Sequence, residues 1–377
     1  AVIEPSQTHY YQPGWTMVGG GVFGAEVTAR PTTSVIPAGV KRITGSAASF
    51  APEKNSLTLG DGQEISYDFL IMATGIELNW DGVKGLSETL GKNGVTSNYR
   101  YDLAPYTWRL VQDLRGGKAV FSQPPMPFKC PGAPQKAMYL SCSHWEAAGA
   151  LRAINVDFHT AAPAMFGVAD YVPGLLKYVE RYGAHVHYGS RLVSVDGPGQ
   201  TATFETKDAE GKANLTTVEF DMLHAVPPQR PVAAVATSAL ADAAGFVEVD
   251  QHSMRHTRFA NVFALGDCCS TPNSKTAAAA RKQAPIVAVN LLSVMAGGAP
   301  THSYNGYGSC PLTVEHGRAI LAEFGYGGKL LPSFPWDSTV PRRSAWFLKA
   351  RFIPWLYWNA MLKGREWLAA PFDRLKP

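Results

Sequence analysis

The sequence predicts an α/β fold. Three observations carry this reading. Two short apolar runs end in glycine: Y-D-F-L-I-M-A-T-G at residues 67–75 and N-V-F-A-L-G-D at 261–267. A third apolar run, residues 118–122, passes through P-P-M-P and the cysteine Cys130 into a helical start at 137–140. Strands that end where backbone can turn sharply, followed by helices, are the parts of βαβ units. In a nucleotide-binding unit a glycine loop would follow the third run, but here a cysteine between prolines takes its place.

The totals agree with a folded, multidomain chain. It has 377 residues, 46% of them hydrophobic, enough for a packed core and two or three domains. No repeat is visible, and no apolar stretch is long enough to span a bilayer. Five cysteines are too few for a disulfide framework in a chain of this length, so reactive or buried thiols are expected. None of their spacings resembles a zinc site, and no metal is expected. The formal net charge of +4 is unevenly placed. Residues 342–377 hold eight Lys and Arg against two acidic residues, while the rest holds 26 basic and 28 acidic. The positive excess is thus confined to one segment, which also holds four of the nine tryptophans. No nucleic-acid partner is expected.

In chain order, A-V-I followed by Glu4 reads as the end of a strand already under way, with no initiator Met or targeting features. An acidic residue there can bond a ribose hydroxyl, or be a plain surface Glu. Gly19, Gly21 and Gly24 match G-x-G-x-x-G, but the run before them is very short and the polar run after them stops at Pro31. A phosphate site needs a buried strand before and a sustained helix after, so the stretch reads as a flexible loop. The true glycine loop is expected upstream, within about 30 residues of a βαβ unit. Residues 35–43, 46–50 and 56–59 read as short strands, and 69–73 as a fully buried one. Residues 104–115 read as a helix, 156–160 as a strand and 175–182 as a helix. Val186, Tyr188, Leu192 and Val195 are strand-like, 201–206 and 216–220 suit a hairpin, and 222–226 suits a strand. After the strand at 261–266, Ser274, Lys275 and Thr276 open a helix over 277–292. Asp267 then lies near a helix N-terminus, which favours partial negative charge.

The two glycine-ended strands resemble those of flavoproteins with two dinucleotide-binding domains. Three stretches narrow this: E-P-S-Q-T-H-Y-Y-Q-P-G-W at 4–15, F-K-C-P-G-A-P-Q-K at 128–136 and Y-G-S-C-P-L at 307–312. Together they resemble sulfide:quinone oxidoreductases, of the mitochondrial type and its bacterial relatives, over nearly the whole chain. The resemblance implies two Rossmann-like dinucleotide-binding domains, the first lacking its N-terminal strand and glycine loop, plus C-terminal amphipathic helices. An FAD-binding domain in two parts, 1–114 and 236–311, would surround a second Rossmann-like domain, 115–235, that carries the Cys130 loop. Residues 312–377 would be a membrane-docking segment.

The resemblance also implies FAD as cofactor. Glu4 would bond its ribose, Gln12 and the backbone of Ala47 would contact it, and Gly75, Asp267, Lys275 and Thr276 would surround the flavin. Cys130 and Cys310 would be the redox-active pair, and Lys136 and Lys349 would lie near the quinone. The implied partners are hydrogen sulfide, ubiquinone or another membrane quinone, a small sulfur acceptor (sulfite, glutathione or sulfide), the membrane surface and a second copy in a homodimer. The implied place is peripheral, on the matrix face of the mitochondrial inner membrane or on a bacterial cytoplasmic membrane. The family's first strand and glycine loop are absent from this chain, so FAD is expected to bind this polypeptide weakly or not at all, and the activity is assigned to the intact protein.

If the two cysteines come within disulfide reach, hydrosulfide can open their bridge, leaving a persulfide on one and a thiolate on the other. By resemblance Cys130 carries the persulfide, Cys310 lies nearer the flavin, and an extra sulfur bridges the two. The plainer reading makes both of them buried thiols, Lys136 and Lys349 solvated lysines, and Asp267 a helix cap. Cys142 is expected in the core; Cys268 could lie near the flavin, but a structural role is expected for it and for Cys269. The tail, residues 344–365, mixes aromatic and basic residues as membrane interfaces do, and Pro354 should split it into two short helices. Its alternative is a dimer contact or a helix packed on the body. A type II NADH:quinone dehydrogenase would need a second glycine loop, and none follows 118–122. The flavoprotein subunit of a sulfide-oxidising cytochrome complex would not need a docking tail. A non-catalytic membrane scaffold that has lost FAD would not need the cysteine pair.

Overall fold

The structure, a computed structural model, describes residues 1–367, 369 and 373–375. Its largest sheet has five parallel strands, in spatial order Val95–Thr96, Met222–His224, Gly117–Gln123, Ile154–Thr160 and His185–Tyr188. Parallel neighbours need crossovers, and the helices Ala133–Ala147 and Val172–Tyr182 supply two of them. Gly117–Gln123 pairs with Ile154–Thr160 along its whole length, and Ala119, Val120 and Phe121 are fully buried. A central strand with neighbours on both edges and helices over its faces reads as a continuous apolar run. Val95–Thr96, ahead of residue 115, forms one outer strand of this sheet. An antiparallel meander, Arg191–Asp196, Thr201–Lys207 and Ala213–Glu219, contains the expected hairpin.

A second set of pairings is built from distant parts of the chain. Val2–Ile3 lies parallel to Arg42–Ile43, and Leu70–Met72 lies parallel to Val262–Ala264. Val262, Phe263 and Ala264 are fully buried, as expected. The strand expected to be fully buried over 69–73 is not, because Ile71 is 44% exposed. Among the described residues Leu70–Met72 has a hydrogen-bonded neighbour on one edge only, which leaves its other side open. Of the strand expected at 35–43 only Arg42–Ile43 forms, since turns at Pro37 and Gly39 take up the rest.

The glycine-rich stretch also differs from expectation. Trp15–Gly19 is a short buried helix, and Ala25–Thr28 is a 3-10 turn. The 3-10 turn Gln12–Gly14 and this helix, rather than a buried strand, lead into the glycines, which agrees with rejecting the phosphate-loop match. The stretch is packed rather than flexible: a Cβ at Gly19 would collide with Asn98, and one at Gly20 with Leu140. The helix after the cysteine loop begins at Ala133 rather than near 137, with Pro134 in its first turn, where a missing N–H costs nothing. The helix Ala277–Met295 starts at Thr276, whose Oγ1 accepts from the Ala279 N–H at 3.1 Å.

The tail stays helical through Pro354. Arg343–Phe347 and Ile353–Asn359 are α-helical, and Leu348–Phe352 between them is a π-helical turn. Widening the turn just before the proline accommodates its missing N–H, so the expected break does not occur. Residues 368, 370–372, 376 and 377 of the expected docking segment lie outside the described residues. No described helix is long and apolar enough to cross a membrane.

Candidate active site

Cys310 reaches its position by strand alternation. It lies in Gly308–Glu315, paired antiparallel with Arg318–Phe324. Side chains alternate along a strand, so Gly308, Cys310, Leu312 and Val314 share one buried face. That face joins the same apolar core as Ala137, Met138 and Cys142 of the helix Ala133–Ala147. Cys142 thus lies in the core as expected. Two cysteines 180 positions apart are brought to one place by a hairpin packing on the helix that follows Cys130.

Cys130 is fixed by its backbone. Its N–H donates to the Lys275 carbonyl at 2.7 Å, and its carbonyl accepts from the Ala133 N–H at 2.8 Å and the Tyr99 hydroxyl at 3.1 Å. Its φ is +52°, a left-handed conformation that costs energy in a residue with a Cβ and is held only by such surroundings. Gly132 is needed for close approach: a Cβ there would lie 2.5 Å from the Cys310 Sγ.

Lys136 stands between the two sulfurs. It is 1% exposed, and its Nζ lies 3.4 Å from the Cys130 Sγ and 3.5 Å from the Cys310 Sγ. A buried ammonium needs a compensating charge. The Cys310 thiol, by donating to Cys130, holds Cys130 well below the ordinary thiol range; Lys136 and Lys349 add to this against burial. Cys310 is pushed up, first by Cys130 and then by burial. The pair is therefore set to share one proton, with Cys130 the more readily ionised sulfur. Cys130 also precedes a helix N-terminus, which favours the same form. The Lys349 Nζ donates to the Pro13 carbonyl at 2.6 Å, and burial, with Lys136 nearby, pushes Lys349 down to about 7. Neither lysine is a solvated surface residue.

The residues around the expected flavin fall into two groups. Lys275 joins Asp267 to the cysteine loop: its Nζ donates to the carbonyls of Asp267 (2.7 Å) and Cys269 (2.9 Å), while its own carbonyl holds Cys130. Burial pushes the Asp267 carboxyl up, opposed by Lys129 and Lys275. Lys129 donates to the side-chain carbonyl of Gln12. Asp267, Lys275, Thr276 and Gln12 are thus tied to the cysteine loop by short chains of contacts. Gly75, at φ +74°, ends its strand with open space where a side chain would stand. Glu4 follows the strand Val2–Ile3 and Ala47 opens the strand Ala47–Ala51; Glu4 accepts from the Ser6 N–H at 2.7 Å, and Ala47 pairs with Leu59. An open apolar strand end, a helix N-terminus and the unpartnered buried Tyr11 hydroxyl and Trp15 Nε1–H fit a large planar cofactor such as FAD.

Tyr11, Tyr99, Lys129 and Gly132 were not singled out in the sequence. Lys129 and Gly132 flank the cysteine, but nothing in their spacing tells which neighbours they meet. The tail closes this side of the site. The His9 Nε2 lies 2.5 Å from the Tyr357 hydroxyl, and the rings of Tyr11 and Tyr357 are 4.7 Å apart. Its opposite face shows Phe347, 58% exposed, and Trp355, 49% exposed, one helical turn either side of exposed Arg351. The tail is therefore packed on the body along one face and open along the other.

Two α/β units around a buried, charge-stabilised thiol pair define an oxidoreductase of the class with two dinucleotide-binding domains. No family model matches the chain. It is 42% identical over 366 residues to the mitochondrial sulfide:quinone oxidoreductase of Dictyostelium discoideum, covering 97% of this chain and 80% of that protein. It is 39% identical to the mouse mitochondrial sulfide:quinone oxidoreductase, with the same coverage. The fold is also that of the sulfide:quinone oxidoreductase of Aquifex aeolicus, with a TM-score of 0.80 at 18% identity over 100% of this chain and 91% of that one. The chain belongs to the sulfide:quinone oxidoreductase family.

Proposed function

We propose that the protein oxidises hydrogen sulfide at Cys130 and Cys310 and passes two electrons to a membrane quinone. The observation that carries this reading is the Lys136 Nζ, within 3.5 Å of both sulfurs in a buried site. In the oxidised state the two sulfurs are bonded. Hydrosulfide attacks the Cys130 sulfur, the S–S bond breaks, and Cys310 leaves as a thiolate. Lys136 stabilises the negative charge on that leaving sulfur. Cys130 then carries a persulfide, whose outer sulfur passes to a small nucleophilic acceptor such as sulfite, a thiol or sulfide. The pair is left reduced, sharing one proton as described, and its reoxidation to the bridge releases two electrons and the remaining proton. Bound FAD supplies the two-electron relay between this pair and the quinone.

Glu4, Gln12, Ala47, Gly75, Asp267, Lys275 and Thr276 are the residues we propose to hold FAD. Lys349 is proposed to serve quinone on the side closed by the tail, where its carbonyl partner Pro13 and the Tyr11–Tyr357 pair lie. The protein then works as a peripheral protein on a membrane face, a mitochondrial location being suggested by the names of its relatives. The test is anaerobic titration of the FAD-loaded protein with sulfide, followed by visible absorbance. Sulfide should bleach the flavin and a soluble quinone restore it, with both changes lost in Cys130→Ser and Cys310→Ser. Bleaching that persists in both variants would remove the cysteine pair from the reaction.

A further inference from the structure

Asp157, His159 and His187 meet on one face of the five-stranded sheet, and sheet geometry is the reason. Asp157 and His159 are two apart on Ile154–Thr160, so their side chains point the same way. His187, on the neighbouring strand His185–Tyr188, pairs directly with His159. Each residue offers a ligand atom, and these atoms all lie within 4.8 Å of one another. The His187 Nε2 is 2.7 Å from the Asp157 Oδ1.

His159 supplies a second, independent observation. It is 5% exposed, stacked between the Phe204 ring at 3.6 Å and the His187 ring at 4.2 Å. Its Nδ1 lies 2.9 Å from the Ser190 Oγ, while its buried Nε2 has no partner. A buried nitrogen without a partner is costly, and native proteins rarely leave one. In the tautomer whose Nδ1–H donates to Ser190, the lone pair is on Nε2. This is how a metal-bound histidine is held: one nitrogen oriented by an oxygen acceptor, the other free to ligate.

We propose that Asp157, His159 and His187 bind one divalent ion of the zinc class, His159 through Nε2. Two imidazoles and one carboxylate suit zinc, cobalt or nickel rather than calcium or magnesium. Tetrahedral zinc with bonds near 2.0 Å sets its donors about 3.3 Å apart. The donor atoms lie within 4.8 Å of one another, so the widest pair must close by up to about 1.5 Å, and the exposed His187 ring, now stacked on His159 and 2.7 Å from Asp157, must turn to aim its nitrogen at the ion. Three protein ligands leave one position for solvent. The ion would tie the outer strand His185–Tyr188 to Ile154–Thr160. The site uses neither the cysteine pair nor the residues proposed for FAD, so it stands whether or not the reaction above is correct.

The experiment is titration of the FAD-loaded protein with Co²⁺, read by its visible ligand-field bands, with Zn²⁺ competing. One equivalent should bind with nitrogen and oxygen ligands and without the near-ultraviolet sulfur-to-cobalt band that thiolates give. His187→Ala and Asp157→Asn should each weaken binding at least about tenfold, with circular dichroism confirming that they fold. Binding that is equally tight in both variants, binding that shows only the sulfur band, or no binding at all would overturn the proposal.

Discussion

Lys136 adds a positive charge to the thiol pair that the Cys310 contact alone does not supply. Its ammonium has two sulfur neighbours and is shielded from water. Removing an opposite charge at such distance raises a thiol pKa by about one to three units. Lys136→Met keeps the volume and removes the charge, so Cys130 should titrate at least about one unit higher. Alkylation rate against pH measures this directly, and an unchanged midpoint would show that Lys136 does not hold the thiolate. Gly132 gives a second test. A methyl group there meets the Cys310 Sγ at 2.5 Å and the Leu312 side chain at 2.4 Å. Gly132→Ala should cost about 1–3 kcal/mol in urea unfolding, as overpacking does, and should disturb the reactivity of Cys310. Unfolding like wild type would mean the hairpin can shift away freely. The two cysteines were legible through the resemblance carried by F-K-C-P-G-A-P-Q-K and Y-G-S-C-P-L, although Cys130 proves to sit in a loop and Cys310 in a strand. The place of Lys136 was not, because its second partner comes from a hairpin 174 positions away.

At the scale of elements, short apolar runs flanked by turn residues named most strands, and the errors have physical causes. Ile71 looks like core in sequence but lies on a strand paired along one edge, which no local pattern reveals. Pro354 looks like a helix break, yet a π-helical turn before it accommodates the ring. That same turn buries Lys349. Its folded pKa of about 7 lies below the ordinary 10.5. Between those values the unfolded chain binds more protons than the folded one, so stability rises with pH across the window. The penalty is complete below about 7 and vanishes above 10.5, with a slope of at most about 1.4 kcal/mol per pH unit. Lys349→Met should therefore gain stability over wild type near neutral pH, and the gain should shrink toward pH 10. Denaturant unfolding of both proteins at several pH values in this range measures it. A constant difference would mean that Lys349 is charged in the fold.

Taken whole, the molecule separates its charge from its chemistry. Outside residues 342–377 acidic and basic residues nearly balance, and the tail carries the excess of basic residues. The described part of the tail presents exposed Arg343, Phe347, Arg351 and Trp355 at intervals of one helical turn, on the face away from the body. Two aromatic and two basic residues on one exposed stripe suit an anionic interface, with the rings at headgroup level. Each Arg near such a surface contributes about 1 kcal/mol, and the contribution is screened by salt. The holoprotein should therefore sediment with vesicles containing anionic lipid at low salt and be partly released at high salt. Arg343→Gln with Arg351→Gln should flatten the salt dependence and weaken low-salt binding by about tenfold or more. Phe347→Ser with Trp355→Ser should weaken binding at every salt concentration, because burial of apolar surface is not screened. The two double variants separate the charge contribution from the apolar one. If wild-type protein stays in the supernatant at low salt, the exposed stripe serves some other contact and the membrane-docking role proposed for the tail falls.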